Sequence, residues 1–168
     1  MKLTIRNHNT DLKSEKFDII IPCEVSLCQK ISYVDFEFEE KENQSITGKF
    51  LLNGDVDELS EFNFYHFKNT KLIFFRFMYQ WGIIDIEKKQ LKRNELDKSL
   101  DLPFFYLHEN CILIVDDLFA ETITLDGESI DRIGNEQPHE IAEYENYFEF
   151  DIIGVEKRKL MKKATANS

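Results

Sequence analysis

The residue types that most readily do chemistry are few in this chain. The three cysteines are Cys23, Cys28 and Cys111, and the four histidines are His8, His66, His108 and His139. Four residues separate Cys23 from Cys28. A tetrahedral zinc site needs a second close set of Cys or His ligands, none follows, and no metal is implied. An odd cysteine count makes no disulfide framework, so reduced thiols in the cytoplasm are expected. Cys111 and His108 flank one turn, where a thiol and an imidazole can work as nucleophile and base. Cys111 also opens the apolar run Cys111-Ile112-Leu113-Ile114-Val115, in which a small hydrophobe is its natural role.

Asp116-Asp117 are adjacent carboxylates of the kind that split their pKa values to act as acid and base. They also lie at the end of an apolar run, where a turn needs such residues. Asp126-Gly127-Glu128-Ser129-Ile130-Asp131 has oxygen ligands and a bend glycine but not the spacing of a calcium loop. The six glycines stand singly, so neither the dinucleotide fingerprint nor a phosphate loop can be written. The chain is read as a non-enzyme, with no catalytic residues and no cofactor.

Period-2 patterning supplies the elements. Val34, Phe36 and Phe38 alternate with Asp35, Glu37 and Glu39, a strand with one face on a core and the other in water. Residues 3–5, 17–21, 46–52, 62–67, 72–79, 83–86, 104–107, 111–115, 121–125 and 147–153 read as further strands. Asn53-Gly54 is a hairpin signal, and Asn69-Thr70 separates two runs of an aromatic window, 62–81, expected at the centre of a sheet. Residues 87–100 read as a helix, with Leu91, Leu96 and Leu100 on one face, and short helices are offered near 57–59 and 138–143. The fold expected is mainly β, with α+β as an alternative. It would be an antiparallel two-layer sandwich or curled barrel-like sheet of about eight to ten strands with one or two short helices. At 168 residues the chain is read as one domain over 1–155 and a basic tail over 156–168, frayed or loosely helical.

Charge is the strongest compositional signal. The chain carries a net charge of −11, yet its tail holds five basic residues, Lys157, Arg158, Lys159, Lys162 and Lys163. The window 121–151 has ten carboxylates and a single cation, Arg132. A field of that sign repels phosphate backbones and attracts a basic protein. No direct nucleic-acid binding is therefore expected. No apolar run approaches the roughly 20 residues a membrane helix needs, and the first residues do not form a secretory signal. Two surfaces remain. The acidic rows Asp35/Glu37/Glu39 and Glu143/Glu145/Glu149 can meet a partner's Lys and Arg, or serve only as solvated faces. The aromatic window can be core, or the wall of a small apolar ligand site.

In size, acidity, β-rich and Phe-rich composition and lack of catalytic motifs, the whole chain resembles the small acidic bacterial immunity proteins of contact-dependent growth-inhibition toxin–immunity systems. That resemblance implies a cytoplasmic inhibitor that binds and neutralises one basic cognate toxin domain, often a nuclease. For such an inhibitor the acidic rows of this chain, Glu37, Glu39, Glu40 and Glu140, Glu143, Glu145, are the expected partner contacts, with Tyr144 and Tyr147 as aromatic anchors. Oligomeric state stays open, as does the alternative of a small apolar ligand carrier.

Overall fold

The computed structural model describes residues 1–8, 16–22, 28–38, 44–53, 58–77, 80–96, 103–134, 138–152 and 157–163. Among them the chain is mainly β, with mostly antiparallel strands in four small sheets. Two compact units are formed. One comprises Met1–His66 with Ile73–Leu96, the other Phe67–Leu72 with Asp97–Ser168.

The first unit holds β1 (Lys2–His8), β2 (Ile19–Ile21), β3 (Cys28–Phe38) and β4 (Gln44–Asn53), in the order β1-β3-β4-β2. A second sheet runs β5 (Phe64–His66), β6 (Leu72–Phe77), β7 (Gln80–Asp85) and β8 (Gln90–Leu96), in that order. The alternation expected around residue 35 is present: Val34 and Phe36 are buried, while Asp35 and Glu37 face out to Arg6 and Lys2. Aromatic rings meet between the sheets, Phe50 lying 5.4 Å from Phe64 and 5.5 Å from Phe75 at near-perpendicular angles, the edge-to-face geometry aromatic quadrupoles favour. Of the aromatic window, β6 and the start of β7 lie in the middle of this sheet, while β5 is an edge strand; β7 is buried at every position. Gly82 on β7 is required by close approach. A Cβ there would lie 2.3 Å from the Arg93 carbonyl oxygen and 2.4 Å from the Phe75 ring.

The helix expected over 87–100 does not form. Residues 86–89 turn, and Gln90–Leu96 pairs with β7 as β8. The Asp85 carboxylate accepts the Lys88 N–H at 2.9 Å and Lys89 takes a positive φ of 50°. Leu91 joins the core, Leu96 is exposed, and Leu100 lies outside the described residues. Good helix formers differ from other residues by only tenths of a kcal/mol each, less than a paired and packed strand recovers. Near 57–59, where Asp57 lies outside the described residues, a 3₁₀ turn at Glu61–Asn63 is the helical element among the described residues. Gly54, at the expected Asn53-Gly54 turn, lies outside the described residues.

The second unit holds β9 (Phe104–Leu107), β10 (Ile112–Val115), β11 (Phe119–Ile123) and β12 (Ser129–Gly134) as an antiparallel meander. Beside it stand β13 (Pro138–Glu143), β14 (Tyr147–Ile152) and β15 (Arg158–Met161) in sequential order. The possible helix at 138–143 is thus a strand, because Ile141 and Glu143 fall opposite the inward-facing Phe150 and Phe148. The basic end is likewise a strand over Arg158–Met161 rather than a frayed or loosely helical tail. Leu160 is buried with Phe148, Phe150, Leu113, Ala120 and Cys111, and the Met161 N–H reaches the Asp131 carboxylate at 2.9 Å. Burial of Leu160, the pairing with β14 and the hydrogen bonds of Met161 and Arg158 together seat the segment. No helix among the described residues is long and apolar enough to cross a membrane.

Candidate functional site

In the second unit, the β13–β14 hairpin and the end of β15 meet the turn after β9 in a cleft of about 560 Å³. Its lining includes His108, Cys111, Glu143, Tyr144, Glu145 and Lys162. Glu143 is the junction. Its Oε1 accepts from Lys162 Nζ at 2.6 Å and from His108 Nδ1 at 3.1 Å. Beneath them lies the buried ring of Phe148, with Lys162 Nζ 4.5 Å from the ring centroid and the His108 ring edge-on at 4.7 Å. Alternation along β14 points Phe148 and Phe150 into the core, which draws the Lys162 stem along the ring until its side chain is only 13% exposed. Glu143, at 55%, stays largely in water. The hydrogen bond from Lys162 holds the Glu143 carboxyl below its ordinary value, against an opposing desolvation and with His108 acting in the same direction as Lys162.

Cys111 lies at the floor and is 1% exposed. Burial pushes its thiol above the ordinary value, the Lys162 charge only partly offsetting this and Glu143 adding to it. A thiol that stays protonated is a weak nucleophile. Its backbone, not its sulfur, links it to His108, whose N–H donates to the Cys111 carbonyl at 2.9 Å and closes the turn. The imidazole is turned to Glu143 instead. Asp116 is also a turn former: Oδ1 accepts the N–H groups of Leu118 and Phe119. At 126–131 the chain makes a turn with Gly127 at φ 84° and then enters β12. Among the described residues no group of three His, Cys, Asp or Glu side chains is arranged to hold a metal ion.

The eight residues singled out from the sequence as partner contacts fall in different places. Glu37 is on β3 in the first unit and pairs with Lys2 at 3.0 Å, while Glu39 and Glu40 lie outside the described residues. The other five come together on the β13–β14 hairpin: Glu140 and Glu143 on β13, Tyr144 and Glu145 at the connection, and Tyr147 opening β14. Tyr144 is 45% exposed and stacks on Tyr147 at 4.8 Å. Tyr147 is half-buried, with Lys159 Nζ 4.4 Å over its ring. The basic end neutralises part of the row. Lys157 pairs with Glu149 at 3.0 Å, which raises its own pKa, and Lys162 occupies Glu143. Glu140 and Glu145 are exposed and make no ion pair among the described residues.

His108 and Lys162 are the partners that sequence reasoning missed at Glu143. The signal was present in the charge pattern: ten carboxylates with one cation over 121–151, then five cations directly after, as oppositely charged neighbouring strands require. No family model, curated protein or solved structure matches this chain. The site is a hairpin tip with exposed carboxylates and a stacked tyrosine pair, beside a cleft in which Glu143 is already matched by Lys162 and His108.

Proposed function

We propose that this chain is a cytoplasmic binding protein of the immunity type, its first unit a two-layer sandwich, which engages and neutralises a basic toxin domain through the β13–β14 hairpin. The observation that carries the reading is the unbroken exposure of residues 140–146, which presents Glu140, Glu145 and Tyr144 together. Carboxylates held in this way compete for the cationic surface that a nuclease reserves for phosphate, and they raise the encounter rate towards about 10⁸–10⁹ M⁻¹s⁻¹. A stacked tyrosine pair adds the rigid aromatic contact that protein interfaces use as an anchor. The apolar-ligand alternative is weakened by the core of the first unit, where Phe50 is closed in by Phe64, Phe75 and Phe77 at 5.4, 5.5 and 6.2 Å.

The test is capture of a basic protein by the tagged full chain, followed by assay of that protein's own activity with and without the chain. Stoichiometric inhibition is expected. Glu140→Lys and Glu145→Lys should each slow association about threefold to tenfold at low salt, with the difference shrinking as salt is added. Association rates unchanged by either reversal would refute the acidic-surface reading.

A further inference from the structure

Strand β13 is the edge of its three-stranded sheet, and its open side has a definite hydrogen-bonding pattern. The Tyr144 N–H donates to the Tyr147 carbonyl at 3.0 Å, making these two a hydrogen-bonded pair. Antiparallel partners alternate between bonded and non-bonded pairs. In the register Glu143↔Phe148, Ala142↔Glu149, Ile141↔Phe150, Glu140↔Asp151, the bonded pairs are then those of Ala142 and Glu140. The N–H and C=O groups of Ile141 and Glu143 turn away from β14. Among the described residues nothing bonds to them, and residues 140–146 are all exposed.

We infer that this edge is a docking site for an extended basic segment of a partner, added as a further strand on β13 in the manner of β-augmentation. The inference rests on the protein-binding reading above and specifies its contact. Two features select the occupant. Ile141 is 43% exposed on the face shared with Phe148 and Phe150, so an added strand covers it with an apolar side chain. On the opposite face Glu140 stands beside Asp151 and Glu149, so the neighbouring residue of the added strand is Lys or Arg. A segment alternating basic and apolar residues satisfies both, because alternate side chains of a strand reach opposite faces. A second copy of the chain fits poorly: it would bring its own Glu140 and Glu143 onto the same short stretch, and like charges across a strand pair destabilise it.

The experiment uses the full chain and a short capped peptide of alternating lysine and valine, with a glutamate–valine peptide as charge control. Saturable binding of the lysine peptide is expected, with the amides of Ile141 and Glu143 newly protected from hydrogen exchange. Ile141→Pro removes an outward donor without touching the β14 ladder. It should keep the amide spectrum of β14 and β15 and weaken binding about tenfold or more. A lysine–valine peptide N-methylated along its bonding edge should lose binding to the unmodified protein, a control independent of the variant's folding. Equal binding by Ile141→Pro or by the N-methylated peptide overturns strand addition and leaves the acidic-surface reading standing. Equal binding of the glutamate peptide overturns the basic occupant. Self-association of the chain that Ile141→Pro abolishes would assign the edge to a second copy and refute the proposal. No binding of either peptide also refutes it, and flat association rates in the charge-reversal test would then remove the broader reading as well.

Discussion

The pairing of Lys162 with Glu143 makes a quantitative prediction, because its two ends lie in different environments. The lysine side chain is 13% exposed and the carboxylate 55%. An ion pair so open to water contributes about 0.5–1 kcal/mol. The same ammonium lies 4.5 Å from the centroid of Phe148, which adds about 0.5–1 kcal/mol. Lys162→Met keeps the stem packing and loses both, so it should cost about 1–2 kcal/mol, or about 2–8 °C in Tm for a chain of this size. Glu143→Gln loses the pair and the His108 contact but leaves the ring interaction in place. The double-mutant cycle should therefore return a coupling of about 0.5–1 kcal/mol at pH 7, with the ring interaction and the His108 contact cancelling. The pH dependence has a fixed sign. Glu143 has a depressed folded-state pKa, so its contribution is fully present above the unfolded carboxyl value of about 4.3 and is lost as pH falls through the lower folded value. Urea unfolding at pH 7 and pH 3 measures both ends. A coupling below about 0.2 kcal/mol at pH 7, or one equally large at pH 3, would refute the assignment of this pair.

Gly82→Ala places a methyl 2.3 Å from the Arg93 carbonyl oxygen and 2.4 Å from the Phe75 ring, so a loss of about 2–3 kcal/mol or more is expected in urea melts. Cys111, buried and with a raised pKa, should react with a thiol reagent at pH 8 far more slowly in the native chain than in urea; similar rates in the two states would contradict its placement.

The strands that were legible in the sequence are those whose faces differ. Residues 34–37 alternate because one side meets the core and the other meets Lys2 and Arg6, and the meander strands β9 and β10 are short apolar runs bounded by turn residues. β8 was hidden because Lys, Arg, Gln and Glu are good helix formers and the leucine spacing imitates a helical face; the pairing with β7 from Gln80↔Leu96 to Asp85↔Gln90 decides otherwise. β13 and β15 were hidden because they carry few apolar residues, and a strand with little of its own to bury is stabilised by neighbours that a local window does not contain. The same holds for the site. Glu143, Tyr144, Glu145 and Tyr147 were grouped by sequence proximity, and the hairpin brings them together. His108 and Lys162 reach Glu143 from the turn after β9 and from just beyond β15, across separations that no motif spans.

The arrangement of charge in the second unit bears on how any partner would be met. Net acidity suggests a uniform negative surface, but the basic end pairs with Glu149 and Glu143 within the same sheet, while Glu140 at the edge, Glu145 at the tip and Asp151 on β14 face outward. The salt dependence of a complex should therefore reflect mainly the unpaired carboxylates within a Debye length, about 8–10 Å, of the partner's charges rather than the whole formal charge. Truncation of the basic end cannot test this, because Leu160 is fully buried with Phe148 and Phe150, and its removal would open the core along with the surface. Neutralising Lys157 and Lys162 in place separates the two effects. The strand stays seated, Glu143 and Glu149 are released, and a basic partner that uses this face should then associate faster.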